Sequence, residues 1–400
     1  MKILVLNCGS SSVKFQLIDT ANEQALIEGG VERIGLEAPL LKVKHPDGSK
    51  ELIDLHIKDH KGAVSEILSA IADPEKGCIK SFDEIDAVGH RVVHGGEKFA
   101  ESVLIDDEVK AMIRECYDVA PLHNPANMVG IEVMEELMPG KPQVAVFDTA
   151  FHQTMPPEAY MYAIPYSYYT RDNVRRYGFH GTSHRYVSQR VCEMLGVDIA
   201  KQRIITCHIG NGASITAIQG GKSIDTSMGL TPTEGLMMGT RVGDIDPGAL
   251  IFLMQRYNLD AKQLQNLVNK ESGVLGIYGR SSDMRDIEQG FLAGDAEATL
   301  ALRMYERRVT KYIGAYAALM GGVDIIAFAG GVGENQMHIR RRILEPLEFL
   351  GVKVDVAVNE ANHAQEGIIS APDSKVKVAV VPTNEELMIA RDTAAIVAKL

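Results

Sequence analysis

Tryptophan is absent and only 6% of the residues are aromatic, so a chain of 400 residues that is 46% hydrophobic must build its cores from aliphatic side chains. Cysteine is scarce. The five thiols, Cys8, Cys78, Cys116, Cys192 and Cys207, are odd in number and form no C-x-x-C pair, which excludes a disulfide framework and suits a reducing compartment. A basic excess is also missing. With 41 Lys and Arg against 53 Asp and Glu the net charge is -12, which disfavours a binder of nucleic-acid backbones and still allows a small anion held by a few local cations. No run of about 18 apolar residues exists, so no segment reads as membrane-spanning. The apolar run after Met1-Lys2 is too short for a signal-peptide core, and the same brevity sets aside a lipoprotein reading of Cys8. The expectation is a soluble, cytoplasmic, two-domain protein with no nucleic-acid and no membrane partner.

What is present begins with a strand-turn-strand pattern. Ile3 to Leu6 form an apolar run suited to a buried strand. Asn7-Cys8-Gly9-Ser10-Ser11-Ser12 is a turn of small hydrogen-bonding residues, and Val13, Phe15 and Leu17 then alternate with Lys14 and Gln16 as a paired strand. Gly9 lets backbone N–H groups approach an anion, the serines add donors, and Lys14 can set a point charge beside a phosphate. Asn7 offers a neutral oxygen to a metal or its water. An ordinary serine-rich hairpin would share these features, but the chain carries a second copy. Gln202 to Gln219 repeats the apolar strand, a Gly-rich turn (His208-Ile209-Gly210-Asn211-Gly212-Ala213-Ser214) and a strand. Two such hairpins, each opening half of the chain, point to a duplicated fold with a phosphate held between the halves.

Strands and helices alternate along the rest of the chain, which predicts an α/β class with mixed sheets. Residues 25–57 read as further strands, with a turn at Pro46-Asp47-Gly48. Helices are expected over 61–72, from an Asn124 cap with Pro125 to Leu137, from a Thr182 or Ser183 cap to about Leu195, and over Asp295 to Met320. Asp86 to Val93, Gln143 to Phe147, Asp324 to Phe328 and Val376 to Val381 read as strands. Residues 149–181 are loop-rich and mark the domain change: an N-terminal domain over 1–150, joined by the terminal helix 385–400, and a C-terminal domain over 151–384. Asp225 to Gly248 has five glycines and no period, the mark of a functional irregular segment.

Chemistry-bearing side chains stand at defined places in this pattern. Arg91, Arg241 and Arg285 lie beside glycines or in apolar stretches, where a guanidinium needs a partner. The partner is either a structural carboxylate or a ligand carboxylate or phosphoryl group, which the fork fits bidentately. Asp148 and Glu385 follow apolar strands, at the sheet edge where α/β ligands bind; a helix cap or loop carboxylate is the plainer reading. With Thr383 as N-cap, Glu386 would complete a capping box and leave Glu385 free for a metal. The spacings His90/His94 and His180/His184 admit metal ligation, but no third ligand is evident. His180, in Tyr177-Gly178-Phe179-His180-Gly181, is a better anion donor, with His123 a weaker one. Other motifs fail: Thr216 stands where a P-loop needs its first Gly, and Gln336 where a dinucleotide fingerprint needs Gly or Ala.

Taken together, Asn7-Cys8-Gly9-Ser10-Ser11-Ser12-Val13-Lys14, His208 to Ser214, Gly178-Phe179-His180-Gly181-Thr182-Ser183-His184, Gly330-Gly331-Val332-Gly333-Glu334-Asn335 and Pro382-Thr383-Asn384-Glu385-Glu386 resemble the signatures of the acetokinase family, the acetate kinases of the sugar kinase/Hsp70/actin superfamily. The resemblance spans essentially the whole chain, with no departure at the positions that matter. It implies a duplicated actin-like (ribonuclease H-like) fold of two domains, an active site in the interdomain cleft, a homodimer, and reversible phosphoryl transfer between ATP/ADP and acetate/acetyl phosphate. Asn7, Asp148 and Glu385 would organise Mg²⁺, or Mn²⁺ in its place. Arg91 and Arg241 would grip the acetate carboxylate and the moving phosphoryl, and His180 would stabilise the transition state with His123 close by. Val93, Leu122, Phe179 and Pro232 match the acetate methyl pocket. The nucleotide would lie on His208, Ile209, Gly210, Asn211 and Gly212, on Asp283, Met284 and Arg285, and on Gly331, Val332, Gly333, Glu334 and Asn335. The small Gly331-Val332 pair speaks against the family's pyrophosphate users. A propionate or butyrate kinase is the near alternative, and a non-catalytic nucleotide switch the distant one.

Overall fold

The structure, a computed structural model, describes residues 1–121 and 123–400. The chain forms two compact units, Met1–Gln153 with Asn384–Leu400, and Thr154–Thr383.

In unit 1 the strands β1 (Lys2–Cys8), β2 (Ser12–Asp19), β3 (Gln24–Glu32), β4 (Leu40–Lys44), β5 (Lys50–Asp54), β6 (Ala87–Val92), β7 (Val103–Leu104) and β8 (Gln143–Phe147) make one sheet. Its order is β5-β4-β3-β2-β1-β6-β8-β7. β1, β6 and β8 run parallel and the other pairings are antiparallel. The continuous apolar run of β1 is explained by burial on both faces. Leu4 and Leu6 join Phe15 and Leu17 in a core with Val64 and Ile67 of the helix His60–Ile71 and Met134 of the helix Asn124–Leu137. By strand alternation Val88 faces that core and Gly89 the other side. There the helix Glu385–Val397 lies so close that a side chain at Gly89 would run into Thr393 and Ile389.

In unit 2 the strands β9 (Arg203–Ile209), β10 (Ala213–Gln219), β11 (Lys222–Thr226), β12 (Ile325–Ala329), β13 (Gly367–Ile368) and β14 (Lys377–Val380) follow the order β11-β10-β9-β12-β14-β13. The core of the first sheet is repeated here. β3-β2-β1-β6-β8 and β11-β10-β9-β12-β14 share the same order and the same sequence of antiparallel, antiparallel, parallel and parallel pairings. The fold is the duplicated α/β, actin-like arrangement. The helices Ala296–Leu319 and Gly181–Leu195 pack on this second sheet.

Three helix starts differ from the sequence reading. Asn124 is the first helical residue rather than the cap, and its buried amide instead bridges the backbone of His94. The helix expected from Thr182 or Ser183 begins at Gly181, with His180 in the left-handed region at φ 55°. Asn384, not Thr383, caps the last helix by accepting the Leu387 N–H at 3.0 Å, so no capping box forms with Glu386. Each time a tertiary hydrogen bond takes the residue that local propensity had assigned.

Candidate active site

Unit 1 collects its polar groups at the C-terminal ends of the three parallel strands. Asn7 and Arg91 are each next to last in their strands, β1 and β6, and Asp148 follows β8. The Arg91 fork holds them: Nε donates to Asp148 Oδ1 at 3.1 Å, Nη2 to Asp148 Oδ2, and Nη1 reaches Asn7 Oδ1 at 3.4 Å. Glu385, at the start of the last helix, stands 3.9 Å from Arg91 Nε. Burial pulls the Arg91 pKa down, but Asp148 and Glu385 outweigh it and hold the guanidinium above its ordinary value. Burial also pushes the Glu385 carboxyl up, aided by Asp148 and Glu386 and opposed by Arg91 and Lys14. Lys14 pairs with Asn7 across the hairpin and is exposed.

The neighbouring backbone is fixed by two buried amides. Val93 N–H donates to Asn127 Oδ1 and His94 N–H to Asn124 Oδ1, both at 3.0 Å. This seats buried Val93 against the helix whose cap position is His123. Leu122 lies outside the described residues. His90 is committed to Gln143, with Nε2 2.6 Å from Oε1.

Unit 2 assembles a different set around the second hairpin. His180 Nδ1 and His184 Nε2 both meet Ser214 Oγ, at 2.9 and 2.7 Å, and His184 Nδ1 meets Thr206 Oγ1 at 2.7 Å. With both ring nitrogens on hydroxyls, His184 orients Ser214 and through it His180. The His180 ring stacks on that of His208 at 4.2 Å, and His208 Nδ1 is 2.7 Å from Ser183 Oγ. A side chain at Gly212 would touch Arg241 Nη1 and His180 Cε1, so the three adjoin. Arg241 reaches only uncharged acceptors, the Pro232 carbonyl at 3.3 Å and Met238 Sδ at 3.8 Å. Among the described residues it has no carboxylate partner, and burial lowers its pKa. Phe179 is buried and Pro232 half-buried.

The glycine segments meet in the same unit. Gly330 has φ 76° and sits on the Ile209 backbone, where a side chain would clash. A side chain at Gly331 would meet nothing, while one at Gly239 would strike Asn211 and approach the Ser282 carbonyl. So 210–212, 282 and 330–331 border one another. Asp283 caps the helix Met284–Leu292 and pairs with exposed Arg285, while Met284 is buried. Glu334 accepts the Gly330 and Thr383 N–H groups at 2.8 and 3.1 Å, and Asn335 returns to the Gly331 carbonyl. Val332 and Gly333 are buried within the short helix Gly330–Asn335 that these residues form.

The model of the acetokinase family matches residues 2–391. The chain belongs to the acetokinase family. It is 60% identical to the acetate kinase of Phocaeicola vulgatus over 100% of both chains. It is also similar to the crystal structure of Porphyromonas gingivalis acetate kinase, with a TM-score of 0.95, 56% identity and 99% of each chain covered. A propionate kinase from Francisella tularensis follows at a TM-score of 0.91 and 42% identity, with 98% of each chain covered. Among the described residues no helix is long and apolar enough to cross a membrane.

One residue of this acetokinase chain escaped the sequence reading. Arg340 is fully buried and donates to the carbonyls of Gly333, Glu334, Asn359 and Asn362 and to Asn359 Oδ1. Burial lowers its pKa to about 10. It ties down the end of the short helix Gly330–Asn335. Only its helical register with Ile343 and Leu344, three and four residues on, could have signalled this, and that signal is weak.

Proposed function

We propose that this chain transfers the γ-phosphoryl group of ATP reversibly to acetate, giving acetyl phosphate and ADP. The observation that carries the reading is Arg241: a half-buried guanidinium beside His180 and Gly212, held by neutral acceptors and with no carboxylate partner among the described residues. Burying a cation without a counter-charge is costly, so such a group is kept for an anion that arrives. The acetate kinases and propionate kinase to which the chain is similar support the substrate class.

Acetate is already a carboxylate, so the reaction needs no general base. Its oxygen forms the new bond to phosphorus while the bond to the ADP oxygen breaks and ADP leaves with that electron pair. Catalysis is then positioning and neutralisation of charge on the phosphoryl oxygens. Arg241 supplies a fork and a charge, and His180, oriented by Ser214, donates from its other ring nitrogen. Arg91 contributes the second guanidinium, with Lys14 nearby as a mobile charge. The glycine segments 210–212 and 330–333, with 283–285, take the nucleotide, and Val93, His123, Phe179 and Pro232 take acetate. The donor set of unit 1 fits a hard divalent cation: Asn7 and Glu385 offer oxygens, and burial, with Asp148 and Glu386 adding to it, disfavours a Glu385 charge that a cation would stabilise. Mg²⁺, or Mn²⁺, bound there would shield the phosphate oxygens; Asp148, taken up by Arg91, fixes that fork.

The test is hydroxylamine trapping of acetyl phosphate from ATP, Mg²⁺ and acetate, with propionate run beside it. Acetyl hydroxamate with acetate strongly preferred is the expected result. Product mainly from propionate would move the substrate to the second reading, which the Francisella neighbour favours. No product from either would leave a nucleotide switch and remove Arg91 and Arg241 from catalysis. The exposed side chains of Ile251, Phe252 and Tyr257 on unit 2 support a homodimer, and five free cysteines support a cytoplasmic setting.

A further inference from the structure

The segment Gly229–Gly235 has no regular structure, yet it touches both groups that unit 2 brings to the proposed reaction. Its Pro232 carbonyl accepts from Arg241 Nη1 at 3.3 Å. Its Gly229 carbonyl accepts the N–H groups of Tyr177 and Gly178 at 3.1 and 3.2 Å, and these residues lead directly into Phe179 and His180. Thr233 Oγ1 donates to Asn269 Oδ1 at 2.6 Å, and Gly235 is held by Asp244 and Arg308, but the side chain that closes the segment towards Tyr177 and Gly178 is Glu234. Glu234 Oε1 accepts from Arg176 Nη2 at 2.7 Å, and Oε2 accepts from the Tyr162 hydroxyl at 2.6 Å. The same hydroxyl accepts the Leu230 N–H at 2.9 Å, so both ends of the segment close on Tyr162.

Two further features show that this closure is built in. Arg176 is anchored independently, with Nη1 seated on the carbonyls of Thr226, Ser227 and Met228 at 3.0, 3.2 and 3.1 Å. Gly229 has no room for a side chain, because one would occupy the place of the Glu234 carboxylate and the Tyr162 hydroxyl. The pair is therefore a latch on a stretch of backbone that has no ladder of its own to fix it.

We propose that Tyr162 and Glu234 are positioning residues that set the size of the carboxylic-acid pocket, holding Pro232 at a fixed distance from Arg241 and the Phe179–His180 segment. This rests on the acetate-kinase reading above. An apolar pocket rejects one extra methylene by about 10–200-fold, and only as far as its walls do not yield. Here one wall is an irregular segment, so acetate selectivity depends on the latch that keeps it from retreating.

The experiment compares the full-length chain with Tyr162→Phe and Glu234→Gln, in hydroxamate assays with acetate and with propionate. Tyr162→Phe deletes one hydroxyl and its two bonds; Glu234→Gln keeps the shape but leaves one acceptor oxygen for two donors, so one of the two bonds is lost or reversed. In Tyr162→Phe the KM for acetate is expected to rise by about fivefold or more, and the acetate-over-propionate ratio of kcat/KM to fall by about fivefold or more. The KM for ATP should stay within about twofold, and Glu234→Gln should lie between the variant and the parent. A merely structural role would lower turnover on both acids alike. An unchanged ratio in both variants, or KM values for acetate and ATP rising together, would overturn the latch. If the parent chain itself makes no hydroxamate, the reading of the reaction fails; if it does and the ratio does not move, only the latch fails.

Discussion

Both carboxylate oxygens of Asp148 are taken by one guanidinium, that of Arg91, through Nε at 3.1 Å and through Nη2. Asp148 is buried and Arg91 is 22% exposed. Removing Arg91 strands a buried carboxylate next to Glu385, whose own charge is disfavoured by burial and supported chiefly by Arg91. Breaking such a pair costs about 3 kcal/mol, the low end of the range because Arg91 is partly wet. Arg91→Ala is expected to lose that much stability, read from urea unfolding by far-UV circular dichroism because the chain has no Trp. Arg91→Lys should recover part of the stability and little of the activity, since the ammonium restores charge without the fork. Equal denaturation midpoints for the parent and Arg91→Ala would sink this account.

Arg241 makes the opposite case. Among the described residues it has no carboxylate to strand, and burial already works against its charge. Arg241→Ala is expected to lose on the order of 10³ or more in turnover, by analogy with arginine fingers. Its stability should stay within about 1 kcal/mol of the parent or rise. A loss of turnover below about tenfold would remove Arg241 from catalysis. A stability loss as large as that of Arg91→Ala would mean that the charge has a structural partner.

The two hairpins were legible because their signal is local. β1 and β2 pair from Lys2 with Asp19 to Cys8 with Val13, and the copy pairs from Arg203 with Gln219 to Ile209 with Ala213. Apolar runs flanked by small turn residues suffice to mark such elements. The groups at strand ends, Asp148 among them, were legible for the same reason. The rest was hidden by sequence distance. Tyr162, Arg176 and Glu234 share no period and meet only through the tertiary fold, and Arg340 sits in a stretch that reads as an ordinary helix. Thr383 looked like a cap, but its N–H goes to Glu334 and its hydroxyl to Ser183. Local rules assign a residue to its nearest use, and a tertiary partner takes it away.

Gly330 and Gly331 should respond differently to the same change. Gly330 is at φ 76° with the Ile209 backbone where a Cβ would go, whereas Gly331 faces open space. Gly330→Ala is expected to lose roughly 2 kcal/mol or more, from left-handed strain and overpacking together. Gly331→Ala should be neutral or gain about 0.5–1 kcal/mol, because alanine is the better helix residue. If the nucleotide lies on the start of this helix, Gly331→Ala should nonetheless raise the KM for ATP while leaving that for acetate alone. An unchanged KM for ATP would take the nucleotide off Gly331.

His90 gives the chain a pH dependence of definite sign. Its ring is 2% exposed on the central strand β6. Gln143 donates its amide to the Ile131 carbonyl and so presents Oε1 to His90, whose Nε2 must carry the proton. Burial lowers the pKa from 6.5 to about 4, and the bond to Gln143 offsets only part of this. Between these values the unfolded chain binds a proton that the folded chain does not, so stability rises with pH. The contribution is complete above the unfolded value and is lost as pH falls towards the folded one, about 3 kcal/mol in all. Many carboxylates titrate over the same range, so the contrast that isolates His90 is His90→Gln, which keeps an amide donor and cannot charge. Urea midpoints at pH 7 and pH 5 should fall further for the parent than for the variant, by the equivalent of about 2 kcal/mol. Equal falls would mean that His90 gains a proton in the folded chain as readily as in the unfolded one.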